Sequence, residues 1–267
     1  MEQKKWNRNG RRPPARRAQE PAEAAENMLE GRNAVQEALA AGRPIDKLYI
    51  AAGETDRALA RLASMAREAG AAVVETDRRK LDQLSATGAH QGVIAMVAAH
   101  AYATVDEILE NAKSRGEAPL IVICDELSDP HNLGAIIRSA ECVGAHGVIV
   151  PERRAVGLTP AAVKASAGAI EHIKVARVVN MTRVIEMLKA RNIWTYALTM
   201  DGTDYEKVNF KGGVALVVGS EGEGISHLVL ENCDQKVSLP MAGHLDSLNA
   251  SVAAGVVMYR VLSSRRA

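Results

Sequence analysis

The sequence predicts an α/β protein of two units, the larger built on a mostly parallel sheet covered by helices on both faces. Three observations predict it. Apolar runs such as "LIVIC" at 120–124 and "GVIV" at 147–150 are continuous rather than alternating, as expected of strands buried on both faces. Stretches with helical apolar spacing and capping residues stand between such runs. A polar stretch that ends in proline, "NAKSRGEAP" at 111–119, separates a first alternating series from a second.

The first series, residues 28–101, opens with a helix at "GRNAVQEALAAG" and a strand at "DKLYIA". A helix at "TDRALARLASMAREAG" follows, with Thr55 as N-cap and Gly70 just past its end. The strand "AAVVET", a short helix near "DRRKLDQLS" and the strand "QGVIAMVA" complete a small α/β unit. Residues 102–117 are expected to link it to the second unit, residues 118–267. There the strand-like runs are 120–124, 147–150, 173–179, 193–198, 214–218 and 236–239. Among the helices between them, "TPAAVKASAG" and "TRVIEMLKAR" both carry threonine at the start, and Pro160 stands in the first turn of the former. In sheets of this kind ligands sit beyond the carboxyl ends of the strands.

Composition narrows the function classes. With 267 residues, 47% hydrophobic and 24% charged, the chain is long enough for two cores and is expected to fold. No apolar run is long enough to span a bilayer, and the N-terminal "MEQKKWNRNGRRPPARR" has no hydrophobic centre, so a cytoplasmic protein without membrane attachment is expected. Cys124, Cys142 and Cys233 have neither metal-ligand spacing nor an even number, which predicts reduced packing residues and no metal. The net charge of +1 conceals an asymmetry: residues 1–17 hold seven Lys and Arg against one acid, so the remainder is acidic overall. Residues 1–27 are therefore expected to form a basic, disordered tail. Such tails commonly contact phosphate backbones, a solubilising tail being the alternative. Aromatics make up only 3% of the chain, so a surface that stacks many unpaired bases is not expected. An RNA partner would be held by charge and shape.

Three polar, glycine-containing stretches follow strands of the second unit. The first is "DPHNLGAIIRSA". On a helix, Leu133, Ile136, Ile137, Ala140 and Val143 make an apolar side, while His131, Gly134, Arg138 and Glu141 line up at spacings of three and four. Glycine in a helix costs roughly 1 kcal/mol against alanine. Gly134 therefore reads either as a tolerated residue below an Arg138–Glu141 pair or as open space left one turn before the arginine. The second stretch is "VVGSEGEGIS". Its glycines, Gly219, Gly222 and Gly224, are spaced G-x-x-G-x-G and match no dinucleotide fingerprint, and no phosphate-binding P-loop is present. Glu221 and Glu223 disfavour a phosphate and suit a ligand bearing positive charge, such as a sulfonium or amine. The third is "SLPMAGHLDSLNASVAAGVV". Small residues at Ala250, Ser251, Ala253, Ala254 and Gly255 permit close helix approach, and capping explains only one of Ser247 and Asn249.

Together and in this order, "DPHNLGAIIRSA", "VVGSEGEGIS" and "LPMAGHLDSLNASVA" resemble the three motifs of the SpoU/TrmH family of S-adenosylmethionine-dependent RNA ribose 2′-O-methyltransferases, within the SPOUT superfamily. Only Ala250, where the family usually has valine, departs from the pattern. The first unit, through "GRNAVQEAL" and "HQGVIAMV", resembles the RNA substrate-binding domain of the RlmB-type guanosine 2′-O-methyltransferases of 23S ribosomal RNA. The resemblance implies a deep C-terminal trefoil knot, which general folding rules would not have proposed. It also implies S-adenosylmethionine as cofactor, ribosomal RNA as partner and a homodimer whose sites draw on both chains. Carried over by position, Gly219, Leu239 and Leu248 would hold the cofactor. Asn132, Arg138, Glu221, Ser247 and Asn249 would form the catalytic and substrate-orienting set. The family's proposed role for the arginine at position 138 is activation of the ribose hydroxyl. A guanidinium, which holds its proton so firmly that it is a poor base, is better suited to clamping the neighbouring phosphate and stabilising the nascent alkoxide, Gly134 then being the gap through which that phosphate reaches the helix. A tRNA or adenosine-specific rRNA methyltransferase of the same family, and a non-catalytic RNA-binding protein on this fold, are the alternatives.

Overall fold

The computed structural model describes residues 28–53, 56–85 and 87–266. The tail at 1–27 and Thr55 lie outside the described residues. The smaller unit is a four-stranded sheet of β1 (Met28–Glu30), β2 (Ile45–Ala51), β3 (Ala72–Thr76) and β4 (Val93–Val97), in the order β1-β4-β2-β3. Helices α1 (Arg32–Ala40) and α2 (Arg57–Glu68) bury Val35, Leu59, Leu62 and Ala66 with Ile45, Leu48 and Val93. Helix α3 (Arg78–Leu84) seals another side with Leu81. The cap of α2 falls at Asp56, whose carboxylate accepts a hydrogen bond from Ala58 N at 2.8 Å. Gly70, at φ +75°, ends the same helix in the left-handed conformation that glycine adopts without cost.

Residues 102–117, expected as a linker, are mostly helix. Thr104 and Glu107 form a reciprocal capping box for α4 (Val105–Ser114), and Ile108 and Ala112 are buried. The polar surface of this helix hid it, while its T-x-x-E start marked it. Ile108 packs so tightly on Gly147 that a Cβ there would stand 2.5 Å from its side chain.

The larger sheet has six parallel strands: β5 (Leu120–Cys124), β6 (Gly147–Pro151), β7 (Lys174–Val178), β8 (Ile193–Asp204), β9 (Gly213–Val218) and β10 (Gln235–Ser238). Their order is β10-β8-β9-β5-β6-β7. Alternate residues of β5 serve two cores. Leu120, Val122 and Cys124 meet α5 (Pro130–Cys142), α6 (Pro160–Ala165) and α9 (Ala250–Arg266). On the other face Ile121 and Ile123 meet α4, α7 (Met181–Ala190) and α8 (His227–Asn232). Each such side chain contributes roughly 1.5–3 kcal/mol of burial, which explains the continuous apolar runs. Thr159 caps α6 as expected, whereas α7 is capped by Asn180, whose side chain accepts from Arg183 N at 2.9 Å, and Thr182 lies inside the helix. Cys124 is buried and its thiol is pushed up to about 12 by burial, but Cys142 is exposed and serves no core. Among the described residues no helix is long and apolar enough to cross a membrane.

A buried polar cluster joins the two units. The Arg177 guanidinium of β7 reaches Asp46 at 2.7 Å and donates to the carbonyl oxygens of Ile45 at 2.9 Å and Gly70 at 2.7 Å. It lies 4.4 Å over the Tyr102 ring, and the Tyr102 hydroxyl donates to Asp46 at 2.6 Å. Burial raises the Asp46 carboxyl, against the lowering influence of Tyr102 and Arg177. Removing either charge would strand the other away from water, so the pair holds the units in one register.

Gly134 corrects both readings of its helix. It is buried, and a Cβ there would stand 2.5 Å from Ala162 O, 2.5 Å from Ala165 Cβ and 2.9 Å from Ser166 N. The space is filled by α6, leaving no gap for a phosphate, and among the described residues no ion pair joins Arg138 to Glu141. Gly134→Ala is expected to push α5 and α6 apart at a cost of about 1–3 kcal/mol, more than the helix-propensity gain of about 1 kcal/mol. Thermal melting should therefore show a lower Tm; a higher one would restore the reading of a tolerated glycine.

Candidate active site

The strand order reverses beside β5, where the chain turns first towards β6 and later returns to β9. This is the switch point at which α/β sheets open a crevice beyond the strand ends. Cys124 and Val218, paired in register, end β5 and β9 there. Buried Asp125 ties the two following loops together: its N donates to Val218 O, and its carboxylate accepts from Ser226 N, both at 2.8 Å. Sequence reasoning missed Asp125; its one signal was an acid placed directly after a buried strand.

The loop after β9 closes on itself. Ser220 N and Gly224 O, and Gly224 N and Ser220 O, are each 3.0 Å apart. Gly219 is buried at the base of this closure, where a Cβ would overlap the Gly224 carbonyl and Ile225 N. Glu221 therefore stands on a tight, anchored loop. Its Oε1 accepts from Asn132 Nδ2 at 3.0 Å and from Asn249 Nδ2, while Asn249 Nδ2 also donates to Asn132 Oδ1 at 2.9 Å. Asn249 Oδ1 caps α9, accepting from Ser251 N at 3.0 Å, Val252 N at 3.3 Å and Ser251 Oγ at 2.6 Å. The cap fixes the Asn249 amide with nitrogen towards Glu221. Asn132, on the first turn of α5, is only 6% exposed. Three distant stretches thus converge on one carboxylate, and Glu221 Oε2 has no hydrogen-bond partner among the described residues.

The other candidates are placed differently. Ser247 is exposed and donates only to its neighbour Asp246, at 3.2 Å. Leu239 packs partly against the core, whereas Leu248 is 44% exposed. Both belong to the stretch that carries the chain from β10 to α9. Its residues 240–249 are exposed, and among the described residues no backbone hydrogen bond engages 240–248. Free backbone groups beside the apolar Met241, Leu245 and Leu248 suit the polar edges and apolar faces of a nucleoside. Arg138 is exposed on α5 and, among the described residues, makes no hydrogen bond or ion pair with the Asn132–Glu221–Asn249 cluster or any other group.

Residues 28–103 match a family model for RNA 2′-O ribose methyltransferase substrate binding, and residues 119–259 match the SpoU rRNA Methylase family. The chain belongs to the SpoU methylase family. A Bacillus subtilis relative, described as a TrmH family tRNA/rRNA methyltransferase, is 47% identical over 236 residues, 88% of this SpoU methylase and 94% of the relative. A Staphylococcus aureus protein of similar description is 41% identical over 241 residues, covering 90% and 97%. Among solved structures, the SpoU methyltransferase AviRb from Streptomyces viridochromogenes, in complex with AdoMet, is 26% identical with a TM-score of 0.58 over 93% of this chain and 94% of that one. The AdoMet-bound rRNA methyltransferase from Sinorhizobium meliloti is 25% identical with a TM-score of 0.53, covering 88% and 85%.

Proposed function

We propose that this SpoU methylase is an S-adenosylmethionine-dependent RNA ribose 2′-O-methyltransferase that modifies a guanosine of 23S ribosomal RNA in the cytoplasm. The observation that carries the reading is the convergence of Asn132, Glu221 and Asn249, since a pure RNA binder has no need of two asparagine amides, one of them buried, holding a carboxylate. Residues 28–101 act as the RNA-binding unit, 102–117 as the connection and 118–267 as the methyltransferase domain, whose C-terminal end carries the trefoil knot. Gly219, Leu239 and Leu248 shape the cofactor pocket. The cofactor, when bound, supplies an electrophilic methyl group.

The chain's own residues must align a ribose hydroxyl with that methyl and draw off its proton. Glu221, held by two amides, offers one oxygen to orient the ribose, and Ser247 lies two residues before Asn249 on the exposed stretch. Arg138 clamps the adjoining phosphate and stabilises the developing alkoxide. Within one chain it bonds to no member of the cluster, and in a homodimer the partner subunit supplies it. Supporting this, α5 and α9 leave an uncovered groove whose Val252 and Tyr259 are 51% and 54% exposed.

S-adenosylhomocysteine should bind and raise Tm, because a ligand that binds only the folded chain stabilises it. Calorimetry showing no such binding, but tight binding of a nicotinamide dinucleotide, ends the methyltransferase reading. Mapping 2′-O-methyl sites in RNA from cells with and without the gene tests the substrate. Loss of a mark from tRNA in place of 23S RNA would move the assignment to the tRNA branch of the relatives' description.

A further inference from the structure

Asn132 and Glu221 of the catalytic cluster line a cavity of about 460 Å³ whose charge is at odds with its substrate. Glu126, Asp129, Glu221 and Glu223 line it, and among the described residues Arg154 is the one cation that does. Carboxylates favour a sulfonium but repel a nucleic-acid strand, so a ribose enters this cleft only if a phosphate beside it is compensated at the rim.

Arg154 is built into that rim. It follows β6, and the next loop residues are strapped to the loop after β5 through Val156 N donating to Leu127 O at 2.7 Å. On either side of this strap stand two residues in the left-handed region, Glu126 at φ +55° and Arg154 at φ +58°, and neither is glycine. Left-handed conformations at long side chains are uncommon and cluster where a site demands them. Here the two face one another as an ion pair, Arg154 Nη1 to Glu126 Oε1 at 3.3 Å. The pair uses one corner of the guanidinium, whose side chain is 82% exposed. Exposed pairs with a single long contact hold weakly, whereas a phosphate engages two donors of the planar fork at once.

Resting on the RNA methyltransferase reading, we propose that Arg154 is an RNA-positioning residue: it leaves Glu126 to grip a backbone phosphate of the substrate strand at the mouth of the methyl-transfer cleft. Glu126 keeps the guanidinium at the rim until RNA arrives. The exchange transfers the arginine from one anion to another and leaves every covalent bond unchanged.

The experiment uses the full chain with Arg154→Ala, Arg154→Lys and Glu126→Gln. Equilibrium binding to unmodified total RNA, from cells lacking the enzyme, is measured across a salt series. S-adenosylhomocysteine binding, Tm and methyl transfer are recorded alongside. Arg154→Ala should weaken RNA binding roughly tenfold, and should flatten the slope of log K against log salt by about 0.7, the value of one single-strand phosphate contact. Cofactor affinity and Tm should stay at wild type. Arg154→Lys should recover the slope but only part of the affinity, and Glu126→Gln should tighten RNA binding. Unchanged affinity and slope in Arg154→Ala overturn the proposal, as does a loss mirrored in Tm and cofactor affinity, which would make the pair a structural brace. Because RNA binding is read directly, failure of the wild-type chain to transfer a methyl group would sink the enzymatic reading alone.

Discussion

Arg138→Ala should lower single-turnover methyl transfer by about 10² or more while leaving S-adenosylhomocysteine affinity and Tm near wild type. The stability half of this expectation follows from the helix surface. Arg138 is exposed and holds no partner among the described residues, and alanine is the better helix former. The activity half follows from the chemistry: a contact to phosphate and nascent alkoxide matters most in the transition state. Lysine separates the two chemical roles. It restores charge without the planar fork, so a clamp is rescued only in part. A literal base would be rescued increasingly as pH rises, because an amine loses its proton far more readily than a guanidinium. Mixing inactive Arg138→Ala with inactive Glu221→Gln should restore some activity if the arginine acts across a dimer. Full activity in Arg138→Ala alone would remove the residue from the site.

What the sequence disclosed about the fold depended on burial. The strands β5, β6 and β9 were legible because both of their faces are covered, leaving uninterrupted apolar runs. The outer part of β8, 199–204, was not, since it is largely polar and half exposed. Strand β1 is three residues long and gave no period to read. At the site, the contacts that matter join Asn132 to Asn249 across 117 positions and Glu221 to Asn132 across 89. No local periodicity records such a juxtaposition, so only the motif resemblance pointed to it. Gly134 was visible as an anomaly, but a sequence cannot say which neighbour a glycine lets in. Glu126 and Arg154 were invisible for a different reason: their left-handed backbones carry no compositional sign.

The three glycines of the loop after β9 look equivalent in the sequence and are not equivalent in space, which yields the second large effect. Gly219 is buried where any Cβ would overlap the Gly224 carbonyl, Gly224 sits at φ +70° in open space, and Gly222 has nothing within 4 Å of its Cβ position. Gly219→Ala must therefore break the paired Ser220–Gly224 hydrogen bonds or displace Ser226 from Asp125, and either movement carries Glu221 away from Asn132 and Asn249. Overpacking of this kind costs about 1–3 kcal/mol, and a displacement of about 1 Å at reacting groups can cost 10² in rate. Methyl transfer should fall by about that factor and S-adenosylhomocysteine binding should weaken with it, since the loop borders the proposed pocket. The chain should still melt cooperatively because both cores lie beneath the loop. Gly222→Ala, meeting no atom, should retain activity within about twofold. If Gly222→Ala proved as damaging as Gly219→Ala, loop packing would not be the cause. The glycines would then be needed for direct approach of the ligand, and Glu221 would lose its place as the group the loop exists to hold.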